Sequence, residues 1–424
     1  MNWGVVLYGP PASGKDAITA ELGKSFVLVP RLKSGPGRTS GYHMVTDADL
    51  AKRRAVPGEL LWETQRYSAR YMLTRSDVLH AADSASPVVH VGQTAAAHAV
   101  TSGVPELGWI VVDLRCSRDT AASRIAARDT GDDAERLTIY DNTPALDAAD
   151  LVIDTDTTPP KEAARQIEQA ITLAPLVVPV PTFRTEHEIL DLDTTARYAD
   201  LLSHQRFGYV LLNGPMGRGE TSSEKDRSAN IAVWQRYVPS HRIIAACWTA
   251  TDITAAQEAG AQPLVMLQAS TSTELERQLA VRAPGVWMYA NPRYSSALIT
   301  PDMAFRYRIA GVKLSKVDAP DLQRMRSTNP HATIVHGSSR AMHASFAAGA
   351  SLVTTPPLAA TPEKVWANPD LEIVQAHVDT VQSWIDAAPN HDARVDAVAK
   401  RAHHAVQRHT QDSKPRHTES EVNQ

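Results

Sequence analysis

The chain has 424 residues, too many for one ordinary core, so two domains are expected. Apolar residues make up 43% and charged residues 21%, and the net charge of -4 supplies no basic field, so nucleic acid is excluded as a partner. Cys116 and Cys247 have no paired spacing, no apolar stretch is long enough to span a bilayer, and the N-terminus lacks a basic leader; no cysteine metal site, no membrane partner and a cytoplasmic location are expected.

The first section alternates strand and helix patterns. Strands are predicted over 5–8, 87–91, 109–114 and 151–153, and helices over 15–22, 47–54, 120–128 and 161–170. That alternation argues for a parallel sheet with helices on both faces. Within it, Gly9-Pro10-Pro11-Ala12-Ser13-Gly14-Lys15 matches G-x-x-x-x-G-K between a strand and a helix. Glycines let backbone N–H groups turn toward phosphate oxygens, the helix adds its positive end, and Lys15 reaches the outer phosphates of ATP. Asp16 stands where a hydroxyl that touches Mg²⁺ is usual; a carboxylate there would hold the ion through water, since Mg²⁺ dehydrates reluctantly.

Beyond the loop, residues 3–172 resemble the guanylate-kinase-like P-loop kinases. "RLKSGPGRTSGYHMVT" is similar to that family's acceptor-phosphate segment, which implies phosphate-binding roles for Arg31, Arg38 and Tyr42. "GELLWETQRYSARYML" resembles the stretch with a base-reading glutamate, Glu63 or Glu59 by spacing, and a second phosphate-binding tyrosine, Tyr71. "VVHVGQTAAA" keeps Gln93 but has His90 or Gly92 where the family has an acid. "SRDTAASRIAARDTGDDAERL" resembles the arginine-bearing lid and implies that Arg124, Arg128 and Arg136 brace the transferred phosphate. The "GKD" ending also resembles ribose 1,5-bisphosphate phosphokinases, so the acceptor is a nucleoside monophosphate or a phosphorylated sugar.

A proline-punctuated stretch, "TLAPLVVPVPTF", breaks the pattern near residue 174. The second domain is placed at 173–409. Eight apolar runs follow: "LVVPVPTF", "FGYVLLNG", "RIIAACWT", "PLVMLQAS", "GVWMYANP", "AGVKLSK", "ATIVHGSS" and "SLVTTPP". Eight strand–helix units in so short a span predict a compact (β/α)8 barrel, with an open doubly wound sheet as the alternative. Two terminal helices are predicted over 371–387 and 393–409, and a polar, disordered tail from Thr410.

Lys313 lies inside one of these runs. On the inner face of a barrel strand it is desolvated, which frees an amine to attack a carbonyl; the plainer alternative is a lysine paired with a carboxylate. Lys316 falls at the rim or in the loop. Tyr289 ends the preceding strand, where barrel enzymes carry their chemistry.

Residues 177–390 resemble the dihydrodipicolinate synthase / N-acetylneuraminate lyase family of class I aldolases. "NGPMGRGETSSEKDR" is similar to its glycine loop, "YANP" to its tyrosine motif and "GVKLSK" to its Schiff-base strand. The resemblance implies that Lys313 forms a covalent imine with a 2-oxo acid, with no organic cofactor, and that Tyr289 moves protons. Gly217 and Arg218 replace two hydroxyl residues of the family, and Arg218 and Arg293 are candidates to meet an anionic group. The fourth strand lacks the tyrosine of lysine-pathway synthases, so lysine synthesis is not expected. The combined reading is a phosphotransferase using ATP and Mg²⁺ fused to an aldolase or lyase, self-associating through the barrel as a homo-oligomer. The rival is a ligand-sensing or scaffold protein with decayed sites.

Overall fold

A computed structural model describes residues 3–66, 68–128, 131–147, 149–203, 207–281, 285–357 and 370–412. The chain divides between Thr172 and Leu173 into two compact units. Among the described residues no helix is long and apolar enough to cross a membrane.

In the first unit the leading apolar run forms β1 (Trp3–Tyr8), buried along its whole length, as suits a strand covered on both faces. It is followed by α1 (Lys15–Glu21), β2 (Phe26–Leu28), β3 (Arg31–Ser34), β4 (Tyr42–Met44), α2 (Asp47–Arg54), β5 (Leu60–Arg66), β6 (Ala69–Thr74), α3 (Arg75–Ala82), β7 (Ser86–Val91), α4 (Thr94–Gly103), β8 (Gly108–Arg115), α5 (Arg118–Ala126), α6 (Asp133–Asp141), β9 (Leu151–Asp154) and α7 (Pro160–Leu173). Five strands make one parallel sheet in the order β2-β7-β1-β8-β9, so the loop after β1 leaves the middle of the sheet. A separate four-stranded sheet has the order β4-β3-β6-β5, with antiparallel β3–β6 and β5–β6 pairs. Sequence patterning misses this second sheet. Its strands are short and carry charge, as in "RLKS" and "LLWETQR", because one face lines a polar cavity.

The second unit holds β10 (Leu176–Pro179), α8 (Leu192–Ser203), β11 (Tyr209–Leu212), α9 (Glu224–Trp234), β12 (Ile243–Cys247), α10 (Ala250–Glu258), β13 (Gln262–Leu267), α11 (Ser272–Ala280), β14 (Trp287–Ala290), α12 (Pro301–Arg306), β15 (Gly311–Leu314), α13 (Ala319–Thr328), β16 (Thr333–His336), α14 (Met342–Ala347), β17 (Leu352–Thr354), α15 (Leu371–Asp386) and α16 (His391–Asp412). β10 to β17 close as a parallel barrel, with β17 paired back to β10. The eight apolar runs are the eight strands, and closure removes the open-sheet alternative. Outward residues such as Val312, Leu314 and Ile334 pack with Leu322 and Met325 of α13. The last helix continues through Asp412, past the Thr410 at which the polar tail is expected to begin; residues 413–424 lie outside the described residues.

Candidate active sites

In the first unit, the turn after β1 is tight. Gly9 has φ 152°, and a Cβ there would lie 2.5 Å from Leu114 O; Gly14 caps α1 at φ 94°. Ala12 is also left-handed at φ 63°. The guanidinium of Arg124 holds this loop from outside, donating to Ala12 O (3.1 Å), Thr155 Oγ1 (3.0 Å) and Thr155 O (2.9 Å). Arg124, expected to brace the transferred phosphate, lies outside the cavity lining and is bonded to the loop and to Thr155 instead.

Lys15 curls into the loop, its Nζ donating to Gly9 O (2.6 Å), Pro10 O (2.8 Å) and Ser13 Oγ (3.0 Å). Burial, then the neighbouring Arg31 charge, lowers its ammonium to about 7 against the opposing pull of Asp16. The loop opens on a cavity of about 590 Å³. Gly9, Pro11, Ala12, Ser13, Gly14, Lys15 and Asp16 line it; Pro10 does not. Around it stand Lys15, Arg31, Lys33, Arg38, Arg66, Arg128 and Arg136, against the carboxylates of Asp16, Asp132 and Glu135. Such an excess of positive charge suits a polyanion.

Asp16 lies among these cations. Its Oδ2 accepts from Arg38 at 3.0 Å and lies 3.8 Å from Arg128, and its Oδ1 is 3.6 Å from His90 Nδ1. Burial opposes its charge, but the Arg38 hydrogen bond and the surrounding positive charges prevail and hold the carboxyl below its ordinary value. His90 is 8% exposed, with Nε2 bonded to Thr19 Oγ1 at 2.7 Å; burial, then Lys15, pushes it down to about 3, so it is neutral. Tyr42 and Tyr71 meet with ring centroids 5.3 Å apart, and Arg31 lies 5.4 Å from each ring. Arg136 donates to Asp132 at 2.5 Å, and Gln93 accepts from Trp62 Nε1 at 3.0 Å.

Two expected residues lie elsewhere. Glu63 bonds Arg54 and Glu59 bonds Arg53 and Ser76, both outside the cavity. Strand alternation is the reason: Trp62 and Thr64 of β5 face the cavity, which turns Glu63 away. Conversely, Lys33 is missed by the sequence reading. It is 1% exposed, its Nζ donates to Arg38 O at 2.7 Å, and burial lowers its ammonium. The alternation of Arg31, Leu32 and Lys33 is its signal, legible only once β3 is known to be a strand.

In the barrel, a cavity of about 310 Å³ opens at the C-terminal ends of the strands. Lys313 of β15 lines it and is 7% exposed, and among the described residues its Nζ makes no hydrogen bond or ion pair. Its Nζ lies 4.4 Å from the ring centroid of Tyr289. Tyr289 is 5% exposed, and its hydroxyl shares a 2.8 Å hydrogen bond with Ser315 Oγ. Ser315, which also lines the cavity, was not singled out in the sequence. A Cβ at Gly337 would come within 3.0 Å of Lys313 Nζ, so that glycine keeps space around the amine. Lys316 is exposed at φ 60° outside the cavity.

The three other expected barrel residues miss the cavity. Gly217 is buried against Thr182, where a Cβ would lie 2.7 Å from Oγ1; Gly214, Pro215 and Met216 form the lining instead. Arg218, at φ 49°, donates to Asp396 of α16 at 2.7 Å. Arg293 is exposed and lies 5.6 Å from the Tyr294 ring, and Tyr294 donates to Glu220 at 2.7 Å.

No protein-family profile matches the sequence, and no curated protein matches it. Solved structures similar to this chain include a dihydrodipicolinate synthase family protein from Coccidioides immitis, with 18% identity, TM-score 0.44, 55% of this chain and 88% of that chain covered. Another is the 2-keto-3-deoxygluconate aldolase from Picrophilus torridus, with 15% identity, TM-score 0.46, and 55% and 93% covered. A third is the dihydrodipicolinate synthase from Bacteroides thetaiotaomicron, with 15% identity, TM-score 0.44, and 57% and 98% covered. Nothing in these comparisons bears on a guanylate-kinase-like half.

Proposed function

We propose that the barrel is a Schiff-base aldolase or lyase for a 2-oxo acid, and that the first unit is an ATP-dependent phosphotransferase. The observation that carries the barrel reading is Lys313: a buried amine, unpaired among the described residues, inside a cavity and facing a tyrosine. Lys313 Nζ adds to the carbonyl carbon of the 2-oxo acid, and the carbonyl oxygen leaves as water, giving an imine. In the cleavage direction the imine is protonated, and the proton of the substrate's C4 hydroxyl is taken up through the hydrogen-bonded Tyr289–Ser315 pair, which later returns a proton to C3. The C3–C4 bond breaks, its electron pair enters the imine as an enamine, and an aldehyde departs. Protonation at C3 and hydrolysis release the acid and restore the amine. Condensation is the same path reversed.

The phosphotransferase reading is supported by the Gly9–Lys15 loop and its cation-lined cavity. The loop amides and Lys15 would hold the phosphates of ATP, and Arg128 and Arg136 would offset charge on the transferred group. Arg31, Arg38, Tyr42 and Tyr71 would hold an acceptor phosphate. Asp16 Oδ1, the oxygen not bonded to Arg38, would hold Mg²⁺ through water, and the ion would neutralise phosphate charge.

The two halves are tested separately. Lys313→Arg is expected to abolish C–C cleavage and condensation, because a guanidinium stays protonated and cannot attack. Tyr289→Phe is expected to slow turnover by roughly 10²–10⁴-fold, the usual contribution of a proton-transfer group. Lys15→Ala is expected to abolish transfer from ATP and to leave the barrel reaction intact. Full barrel turnover in Lys313→Arg, or full phosphoryl transfer in Lys15→Ala, would remove the corresponding half of the proposal.

A further inference from the structure

The barrel cavity is larger than a three-carbon acid needs. Its roughly 310 Å³ compares with about 30 Å³ for each water of the bulk liquid. The extra wall comes from the two terminal helices, which supply Gln382, Ile385, Asp386, His391 and Arg394 to the lining. Their charges do not cancel. Arg340, from the loop after β16, bonds Asp386, whose other oxygen accepts from Gln382 Nε2 at 2.9 Å, so that pair is satisfied. Burial and the nearby Arg293 keep His391 below its ordinary value, and its ring lies 3.3 Å from Pro215 O. Among the described residues Arg394 has no such partner, and its Nε is buried and unbonded.

The turn that carries Arg394 is also held in place. Asn390 caps the start of α16, with Oδ1 accepting from Ala393 N at 2.9 Å, and the Arg218–Asp396 ion pair ties the same turn to the loop after β11. Arg394 is half-buried and lines the cavity, and among the described residues its side chain makes no hydrogen bond or ion pair, so its guanidinium is left for an acceptor on the ligand. We infer that Arg394 is a specificity residue for the aldehyde half of the substrate, binding a phosphate monoester or a carboxylate at the end remote from the imine. The inference rests on the lyase reading of Lys313. It assigns to Arg394 the anion contact that the sequence reading gave to Arg218 and Arg293.

The test uses the full chain with pyruvate and three aldehydes: glyceraldehyde, glyceraldehyde 3-phosphate and succinic semialdehyde. The wild type is expected to prefer at least one charged aldehyde over glyceraldehyde by tenfold or more in kcat/KM, and the preferred one identifies the anion. Arg394→Gln is expected to lower that preference at least tenfold, chiefly through KM, and Arg394→Lys to restore part of it. Equal use of neutral and charged aldehydes by the wild type, or an unchanged preference in Arg394→Gln, would overturn the inference. Should pyruvate fail to be trapped on Lys313, the lyase reading falls separately. Calorimetric titration with inorganic phosphate and with succinate then decides: one fewer bound anion of either kind in Arg394→Gln than in the wild type upholds the subsite, and equal binding of both overturns it.

Discussion

Lys15 links a charge state to ligand binding. With its ammonium lowered to about 7 by burial and by Arg31, the side chain is largely neutral at pH 8 in the open cavity. A bound polyphosphate brings negative charge beside it and favours the ammonium, so binding takes up protons above pH 7 and takes up none through Lys15 well below it. Calorimetry of ATP binding at pH 8 in buffers of different ionisation enthalpy is expected to show this uptake, which should vanish at pH 6 and in Lys15→Ala. Absence of uptake at pH 8 would contradict the charge assignment. The same lowered value means that the folded chain binds fewer protons than the unfolded chain between pH 7 and the ordinary 10.5. The Lys15 contribution to stability therefore rises with pH across that window. At this scale, sequence reading placed Lys15, Lys313 and Tyr289 in their cavities because each sits at a fixed offset in a strand or loop. The structure places Arg124, Glu63 and Arg218 outside the cavities: Arg124 and Arg218 bond Thr155 and Asp396, which lie far away in the chain, and strand alternation turns Glu63 toward Arg54.

At the scale of the element, the barrel strands were legible and the small sheet was not. Runs such as "RIIAAC" and "PLVML" bury both faces and read as continuous apolar segments. β3 instead alternates cavity-lining Arg31 and Lys33 with buried Leu32, and β5 turns Trp62, Thr64 and Arg66 to the cavity with no fully buried residue between them, so neither reads as an apolar run. The loop after β11 is another element whose geometry is demanding. A Cβ at Gly219 would fall 1.7 Å from Asn213 O and 2.7 Å from Trp248 Nε1, the pair joined by a 2.9 Å hydrogen bond. Gly219→Ala must displace that backbone and is expected to cost roughly 1–3 kcal/mol, as overpacking does. Urea denaturation of the barrel unit's signal in the full chain checks this, and a midpoint equal to the wild type's would show that the loop can relax.

For the whole molecule, each of the two units carries a cavity with its own chemistry: a cation-rich one around a glycine loop, and one around a buried lysine amine at the mouth of the barrel. Joining them in one chain suits consecutive steps on a shared phosphorylated small molecule, and an anion contact at Arg394 would accept such a compound. The account depends most on Lys313 acting as a nucleophile. Borohydride added to the full chain with pyruvate, followed by peptide mass spectrometry, tests that directly. The expected result is one reduced pyruvate adduct on the peptide containing Lys313, on Lys313 itself, and none in Lys313→Arg. No adduct across a panel of 2-oxo acids, or an adduct on Lys316 instead, would contradict it.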